Sequence, residues 1–260
     1  MRKGTTMQGF YAFNADGESY GGLNTFDVEQ VLRLARNAKD AHRQRKPSGL
    51  NLPASYTPGD HTLPAETIVL RSFSRIHPLP PPSTYEKPTW KWQNVNTAVG
   101  RDHLWVRKWE VGELVAGRFP DSLAARIARF HLLDNVIAQG RVWRRDELRW
   151  ADFKAEPSDD SSKVTVSISG LFSMRRNSRE ESETAYEGSL TGRLVYDSNL
   201  EKVEEFSLMA DGTATGQKFA RRGQPRVPYP LKIVFLYTEE PHDLRMVPHA
   251  AWTVNGYMNP

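Results

Sequence analysis

The chain has 260 residues and a formal net charge of +4, and 38% of its residues are hydrophobic, which is typical of a folded globular protein. It contains no cysteine, which excludes disulfides, thiolate metal sites and a cysteine nucleophile. Basic residues form only short, scattered clusters and no apolar run is long enough to span a bilayer, so neither a nucleic-acid partner nor a transmembrane segment is expected.

The first 46 residues predict two strands followed by a helix. A short apolar run precedes the turn signal Asn14-Ala15-Asp16-Gly17, and the chain returns as a second strand, which predicts a hairpin. Asn24 or Thr25 can cap a helix that ends before Pro47. This order resembles the closing third of a thioredoxin-like domain, without the CxxC motif of that fold. The apolar positions with helical spacing are Val28, Val31, Leu32, Ala35, Ala38 and Ala41.

The segment from Pro47 to Pro64 predicts an extended linker. It holds four prolines with Gly, Ser and Asn between them, a composition that favours neither helix nor strand. Residues 66–76 then predict the first strand of a larger unit. We therefore divide the chain into a ββα unit over residues 1–46, a linker over 47–65 and a β-rich α+β domain over 66–260.

A central helix is predicted over residues 120–138. Pro120 suits its first turn, and Gly140 can end it in the left-handed conformation. Arg126 and Arg129 lie off the apolar stripe, so we expect them to face solvent or an acidic partner. The stripe itself consists of Leu123, Ile127, Phe130, Leu133 and Ile137.

From Trp150 onward, apolar residues alternate with polar ones, which predicts four or more antiparallel strands with one buried face. Gly188 and Gly192 fall on the apolar face, which indicates a bend or a close approach by another element. The predicted fold class is therefore α+β. We expect a curved antiparallel sheet, half-barrel or sandwich-like, packed on the central helix, with the ββα unit at the N-terminal end.

Four segments of the chain match a pattern known from other proteins: Arg101–Trp105, Arg129–Asn135, Gly192–Asp197 and Phe206–Gly212. Together they resemble a group of bacterial proteins that is typical of planctomycetes. In that group a thioredoxin-like segment precedes a β-rich domain without an assigned activity, so the resemblance implies an envelope or exported setting and no catalytic residue. The chain by itself predicts a cytoplasmic protein, with a periplasmic or exported one as the alternative if an N-terminal segment precedes Met1.

The candidate site lies between residues 101 and 135. Two of the seven histidines of the chain fall there, each within three residues of an aspartate. Such neighbours supply the donors, acceptors and titratable groups from which polar sites are built. The predicted ligand-binding residues are Arg101, Asp102, His103, Trp105, His131, Asp134 and Asn135.

Two interpretations of these residues remain open. His103, His131 and Asp134 form a transition-metal site in the first, since two imidazoles and one carboxylate are a common ligand set. In the second, His131 is a buried, hydrogen-bonded residue, and Asp134 pairs with an arginine such as Arg101 or Arg129. No segment carries metal-ligand spacing, which favours the second interpretation and a site without a cofactor. The corresponding functions are a non-catalytic binding or accessory module for a protein partner or small ligand, and a metal-dependent oxidoreductase or hydrolase.

Overall fold

A computed structural model describes residues 10–14, 19–23, 25, 27–44, 63–78, 98–136, 140–160, 162–176, 184–216, 227–253 and 256–260. The chain divides into two compact units, Met1–Gly59 and Asp60–Pro260. Most of the predicted linker, residues 47–62, and the predicted helical residue Ile137 lie outside the described residues. None of the described helices is long and apolar enough to cross a membrane.

The first unit consists of a two-stranded ribbon and one helix. Strands β1 (Phe10–Phe13) and β2 (Ser19–Leu23) are antiparallel, and helix α1 (Val28–Gln44) contacts both. The Asp27 carboxylate caps α1 by accepting two backbone N–H bonds from its first turn, so the cap lies a few residues beyond the predicted one. No described side chain of this unit is buried, so its own apolar stabilisation is small.

The second unit is built on an antiparallel sheet that has seven strands among the described residues. These are β3 (Thr67–Ile76), β4 (Gly100–Arg107), β5 (Leu148–Asp160), β6 (Lys163–Arg176), β7 (Thr184–Asp197), β8 (Lys202–Gly216) and β9 (Val227–Thr238). Their spatial order is β4-β3-β9-β8-β7-β6-β5, so β4 and β5 are the edge strands. The α+β class and the antiparallel sheet predicted from the alternating pattern are confirmed.

Glycines allow the strands to approach closely on the buried face of the sheet. Gly188 of β7 pairs directly with Gly212 of β8. A Cβ atom on Gly188 would lie 2.5 Å from the Cα atom of Gly212, a separation that side chains do not tolerate. The close approach predicted from the glycines on the apolar face of β7 is therefore present at Gly188.

The helical segment of the second unit is shorter than predicted. Helix α2 (Lys108–Val115), which the sequence pattern did not predict, follows β4 directly. Helix α3 (Asp121–Arg126) continues as one π-helical turn (Ile127–His131). The N–H of Leu132 bonds to the carbonyl of Ile127 at 2.9 Å, and Leu132 then leaves the helical region of backbone conformations, which ends the helix well before residue 138.

Strands β3 and β4 are buried on both faces around Val69 and Trp105. Leu104 faces the main core, which the helical segment shares with the other strands. Val69 and Trp105 point to the opposite face and pack with Phe130 and Tyr257 in a second, smaller cluster. We call residues 239–253 and 256–260 the C-terminal segment, and this cluster holds it against β3 and β4.

Candidate functional site

Buried side chains close the free edge of β4. Three alternate backbone N–H groups on that edge donate to side-chain oxygens: His103 to Asp102 (2.8 Å), Trp105 to Tyr257 (3.4 Å) and Arg107 to Glu110 (2.9 Å). The carbonyl of Trp105 accepts from Arg126 at 3.1 Å. Unpaired groups on an edge strand recruit other strands, so these polar side chains have a structural role in satisfying the edge.

Arg126 and Glu110 form a fully buried ion pair beside this edge. Two guanidinium nitrogens of Arg126 lie 2.8 and 2.9 Å from the two carboxylate oxygens of Glu110, and neither side chain is exposed to solvent. Arg126 also donates to the carbonyls of Tyr257 and Met258. Burial raises the pKa of Glu110, but the hydrogen bonds and charge of Arg126 outweigh it and hold that pKa below the usual range.

The expected orientation of the two helical arginines was partly wrong. Arg126 does contact an acidic partner, but inside the molecule, on α2. Arg129 is half-buried, and its Nε atom donates to the carbonyl of Trp143 at 3.2 Å. The pattern did not indicate the ion pair because helix α2, which places Glu110, was not predicted.

His131 lies inside the molecule between Asp102 and Tyr257. Its Nε2 atom is 2.6 Å from the Tyr257 hydroxyl, and its Nδ1 atom is 3.4 Å from Oδ2 of Asp102. Burial raises the pKa of Tyr257, so the phenol keeps its proton, and its hydroxyl is the hydrogen-bond partner of Nε2. Burial also raises the pKa of Asp102, but its contact with His131 outweighs that effect and leaves the pKa lowered. The interpretation of His131 as a buried, hydrogen-bonded residue is confirmed.

Asp134 lines a separate cavity of about 230 Å³. The Tyr229 hydroxyl donates to Oδ2 of Asp134 at 2.5 Å. The Asn135 side-chain oxygen accepts a hydrogen bond from the N–H of Gly140 at 2.7 Å.

The alternative metal site predicted from His103, His131 and Asp134 is not assembled. His131 is engaged by Tyr257, His103 by another aspartate, and Asp134 by Tyr229, so the three side chains do not converge. Among the residues that the structure describes, no three His, Asp or Glu side chains are arranged to hold one metal ion. His103 lies on β4 and His131 on the neighbouring π-helical turn, but they form hydrogen bonds with different partners, Asp243 and Tyr257.

His103 belongs to an open cleft of about 790 Å³. The cleft lies between the outer face of β3 and β4, which is the face that carries Trp105, and residues 240–249 of the C-terminal segment. Its size is typical of small-molecule sites. The side chains that matter for its chemistry are Arg71, Phe73, Arg101, His103, Asp243 and Met246.

Asp243 orients His103 in the cleft. Its Oδ1 atom lies 3.0 Å from Nε2 of His103, and its Oδ2 atom accepts from the Thr238 hydroxyl at 2.9 Å. Burial raises the pKa of Asp243, but His103, Thr238 and Arg71 together lower it below its usual value. A carboxylate-oriented imidazole can accept or donate a proton at its other nitrogen. The sequence pattern missed Asp243 because it lies 140 residues from His103.

Two arginines supply hydrogen-bond donors in the same cleft. Arg101 is exposed on β4 and makes no ion pair or hydrogen bond with any described residue. The Nε atom of Arg71 is buried without a hydrogen-bond partner, since the nearest oxygen of Asp243 is 3.5 Å away. Of the other carboxylates, Asp102 is turned toward His131, and Glu240 lies at the exposed rim.

The cleft brings together three of the seven predicted ligand-binding residues, which are Arg101, Asp102 and His103. Of the other four, Trp105 and His131 are buried, Asp134 lines the second cavity and Asn135 follows it in the chain. No protein-family model, no curated protein and no solved structure matches this chain. The interpretation of the site therefore depends on its geometry.

Proposed function

We propose that the protein is a binding module whose ligand occupies the cleft between the β3–β4 pair and the C-terminal segment, and that this ligand carries an anionic group. The observation that carries the proposal is the guanidinium of Arg101, which pairs with no described residue, together with Arg71, whose buried Nε is 3.5 Å from Asp243 and makes no hydrogen bond among the same residues. A buried donor without a partner costs about 1–3 kcal/mol. A carboxylate or phosphate would satisfy it through charge-assisted hydrogen bonds.

A curved, half-barrel sheet around the helical segment is part of this proposal. The π-helical turn Ile127–His131 contacts both β4 and β5, which are the two edge strands. In a flat sheet these strands would be about 29 Å apart, six spacings of roughly 4.8 Å. Contacts from one turn to both edges therefore support curvature, which turns the β3–β4 pair and the cleft outward.

An accessory role is supported by the order of the chain. The ββα unit precedes the β-rich domain, as in the bacterial group that the sequence resembles. That unit has no buried side chain among its described residues, so it offers surface and not a catalytic interior.

A titration followed by NMR tests the binding proposal. Butanoate and inorganic phosphate serve as probes in a buffer free of other anions that bind arginine. We expect millimolar binding with shifts at Arg71, Arg101 and His103. Arg101→Gln should weaken it about fivefold, the effect of roughly 1 kcal/mol for a partly exposed charge pair. Arg193→Gln, which alters an exposed arginine on β7, is the matched control. Shifts absent from the cleft, or equal effects of the two variants, would contradict the proposal.

A second candidate function is a hydrolase, and the specific observation in its favour is the His103–Asp243 pair. Asp243 holds the imidazole so that Nδ1 can take a proton from water. The metal-dependent form proposed from the sequence would require ligands that the described residues do not bring together. Hydrolysis of p-nitrophenyl butanoate separates the candidates. A rate that falls at least about a hundredfold in His103→Gln supports a hydrolase, and equal rates in both proteins support binding alone.

A further inference from the structure

An apolar stripe extends from the cleft across the outer face of the sheet. The strand register places Arg101 opposite Phe73, Phe73 opposite Val234, and Val234 opposite Met209. Residues directly opposite each other on neighbouring strands point to the same face, so these four side chains form one row across β4, β3, β9 and β8. The row covers three strand spacings, about 14 Å.

The neighbouring row has the same polarity. His103 lies opposite Arg71, and Arg71 lies opposite Leu236. Leu236 is 38% exposed and Met209 is 40% exposed, although both are large apolar side chains. Contiguous exposed apolar groups mark binding surfaces, whereas single ones do not. The two rows therefore connect the polar side chains of the cleft with one contiguous apolar surface, which ends in the second row where Leu236 lies opposite Ser207.

The borders of this surface determine how a ligand would lie on it. On one side Lys232 and Asp211 form an ion pair at 2.6 Å, and the exposed Arg75 of β3 lies opposite Lys232. On the other side the C-terminal segment covers the next row, at Val69 and Trp105. Phe73, Val234, Met209 and Leu236 carry no charge, so the ligand's own charge is matched at the borders of the stripe, of which the cleft holds Arg101 and Arg71.

We propose that the ligand is an anionic amphiphile with one carboxylate-type head group and an unbranched alkyl chain of medium length. The head group binds Arg101 and Arg71 in the cleft, and the alkyl chain lies over Phe73, Val234, Leu236 and Met209. This inference rests on the proposed function, because it uses the same arginines. It adds a second part of the site, on β9 and β8, outside the cleft.

Binding of a homologous series tests the two parts separately. The probes are monomeric butanoate, hexanoate, octanoate and decanoate, measured by calorimetry at constant pH and ionic strength. Each fully buried methylene group raises the affinity about fourfold. An alkyl chain that lies on an open sheet face is only partly buried, so we expect the affinity to rise about twofold per methylene. Octylamine, which has the opposite charge, should bind at least about tenfold more weakly than octanoate, because the arginines repel it.

Variants assign the two contributions to residues. Arg101→Gln should weaken every acid by the same factor, about fivefold, and leave the gain per methylene unchanged. The double variant Met209→Ser/Leu236→Ser should leave butanoate binding unchanged and remove most of the gain per methylene. Leu171→Ser alters an exposed leucine on β6 outside both rows and should change neither. Circular dichroism verifies that each variant is folded, since surface substitutions of this kind have small effects on stability.

Each contrary outcome has a distinct meaning. Equal affinities of all four acids that still fall in the Arg101→Gln variant would contradict an amphiphilic ligand but would support the anion site in the cleft. A gain per methylene that persists in the double variant would place the alkyl chain elsewhere and overturn the inference. Absence of binding by every acid, or independence of Arg101, would overturn the proposed function as well. A concentration-dependent dimer lost in the double variant would assign the stripe to a second copy of the chain, which also overturns the inference.

Discussion

At the scale of single residues, Arg126 connects more of the structure than any sequence pattern indicated. Its guanidinium joins Glu110 on α2, the carbonyl of Trp105 on β4, and the carbonyls of Tyr257 and Met258 in the C-terminal segment. A lysine could not satisfy so many partners, because it has fewer donors in a less extended arrangement.

Arg126→Met should lower the free energy of unfolding by about 3–5 kcal/mol, because it leaves the buried Glu110 carboxylate without its counterion. The double variant Glu110→Leu/Arg126→Met should recover less than half of that loss, since the backbone carbonyls stay unsatisfied. Urea unfolding followed by circular dichroism measures both. Arg118→Met is the control, because Arg118 makes a similar pair with Glu113 on the surface, where an ion pair has little effect on stability. Equal losses for the two arginines would contradict the structural role of Arg126.

His131→Ala should destabilise the protein more than His131→Gln does. The Tyr257 hydroxyl and Asp102 lose a partner in the first variant, whereas a glutamine side chain keeps a donor and an acceptor. We expect a loss of about 1–3 kcal/mol for the polar contacts of the alanine variant, with a further loss from the cavity. Thermal unfolding of the two variants measures the difference. Small, equal shifts would show that the imidazole faces solvent.

At the scale of elements, the Glu147 carboxylate links the start of β5 to the end of β6, at the end of this hairpin that lies opposite its turn. Glu147 lies in a short 3₁₀ turn, Arg145–Glu147, just before β5, and it accepts two hydrogen bonds from Arg176 at the end of β6. Burial raises the pKa of Glu147, but Arg176 and Arg144 outweigh it and lower that pKa to about 2. The hairpin is therefore held by a charge that persists in moderately acidic solution.

Glu147→Gln should lower the free energy of unfolding by about 3 kcal/mol at neutral pH, the equivalent of a pKa lowered by roughly two units. Because the folded-state pKa lies below the usual 4.5, the stabilisation is complete above about pH 4.5 and is lost as the pH falls toward 2. Urea unfolding at several pH values should show the difference between wild type and variant shrinking over that window. Glu204→Gln, in an exposed pair with Lys163, is the control and should have a small effect. A difference that is constant with pH would contradict the charge-based explanation.

The elements were predictable where burial on one face leaves a regular pattern. Strands β6 to β9 alternate and were predicted. Strand β3 was also predicted, over residues 66–76, although Val69 and Leu70 are both buried and interrupt the alternation. The helix end was wrong because Leu133 remains buried after the helix has ended, so the apolar stripe continues without it. Asp243 in the candidate site was missed because folding, not sequence spacing, brings it to His103.

At the scale of the whole molecule, the core belongs to the second unit. All buried residues among those described lie in Asp60–Pro260. A ribbon of two strands with one helix and no buried side chain is too small to be stable in isolation.

A chain of residues 60–260 should therefore unfold at the same temperature as the full chain, within about 2 °C, which corresponds to less than roughly 1 kcal/mol for a protein of this size. Residues 1–59 by themselves should show no cooperative transition. Differential scanning calorimetry of the three chains measures this. A decrease of several degrees in the shorter chain would show that the first unit contributes to the stability of the second.

The closed edge of β4 also has a consequence for synthesis. The N–H of Trp105 donates to Tyr257, 152 residues later in the chain. At translation rates of about 5–20 residues per second, the ribosome needs roughly 8–30 s to make the intervening residues. During that time the N–H groups of His103 and Arg107 can bond to Asp102 and Glu110, but the N–H of Trp105 between them has no partner. An edge strand with unpaired backbone groups pairs readily with strands of other chains. We therefore expect nascent chains to be most prone to aggregation after β4 has emerged and before Tyr257 has.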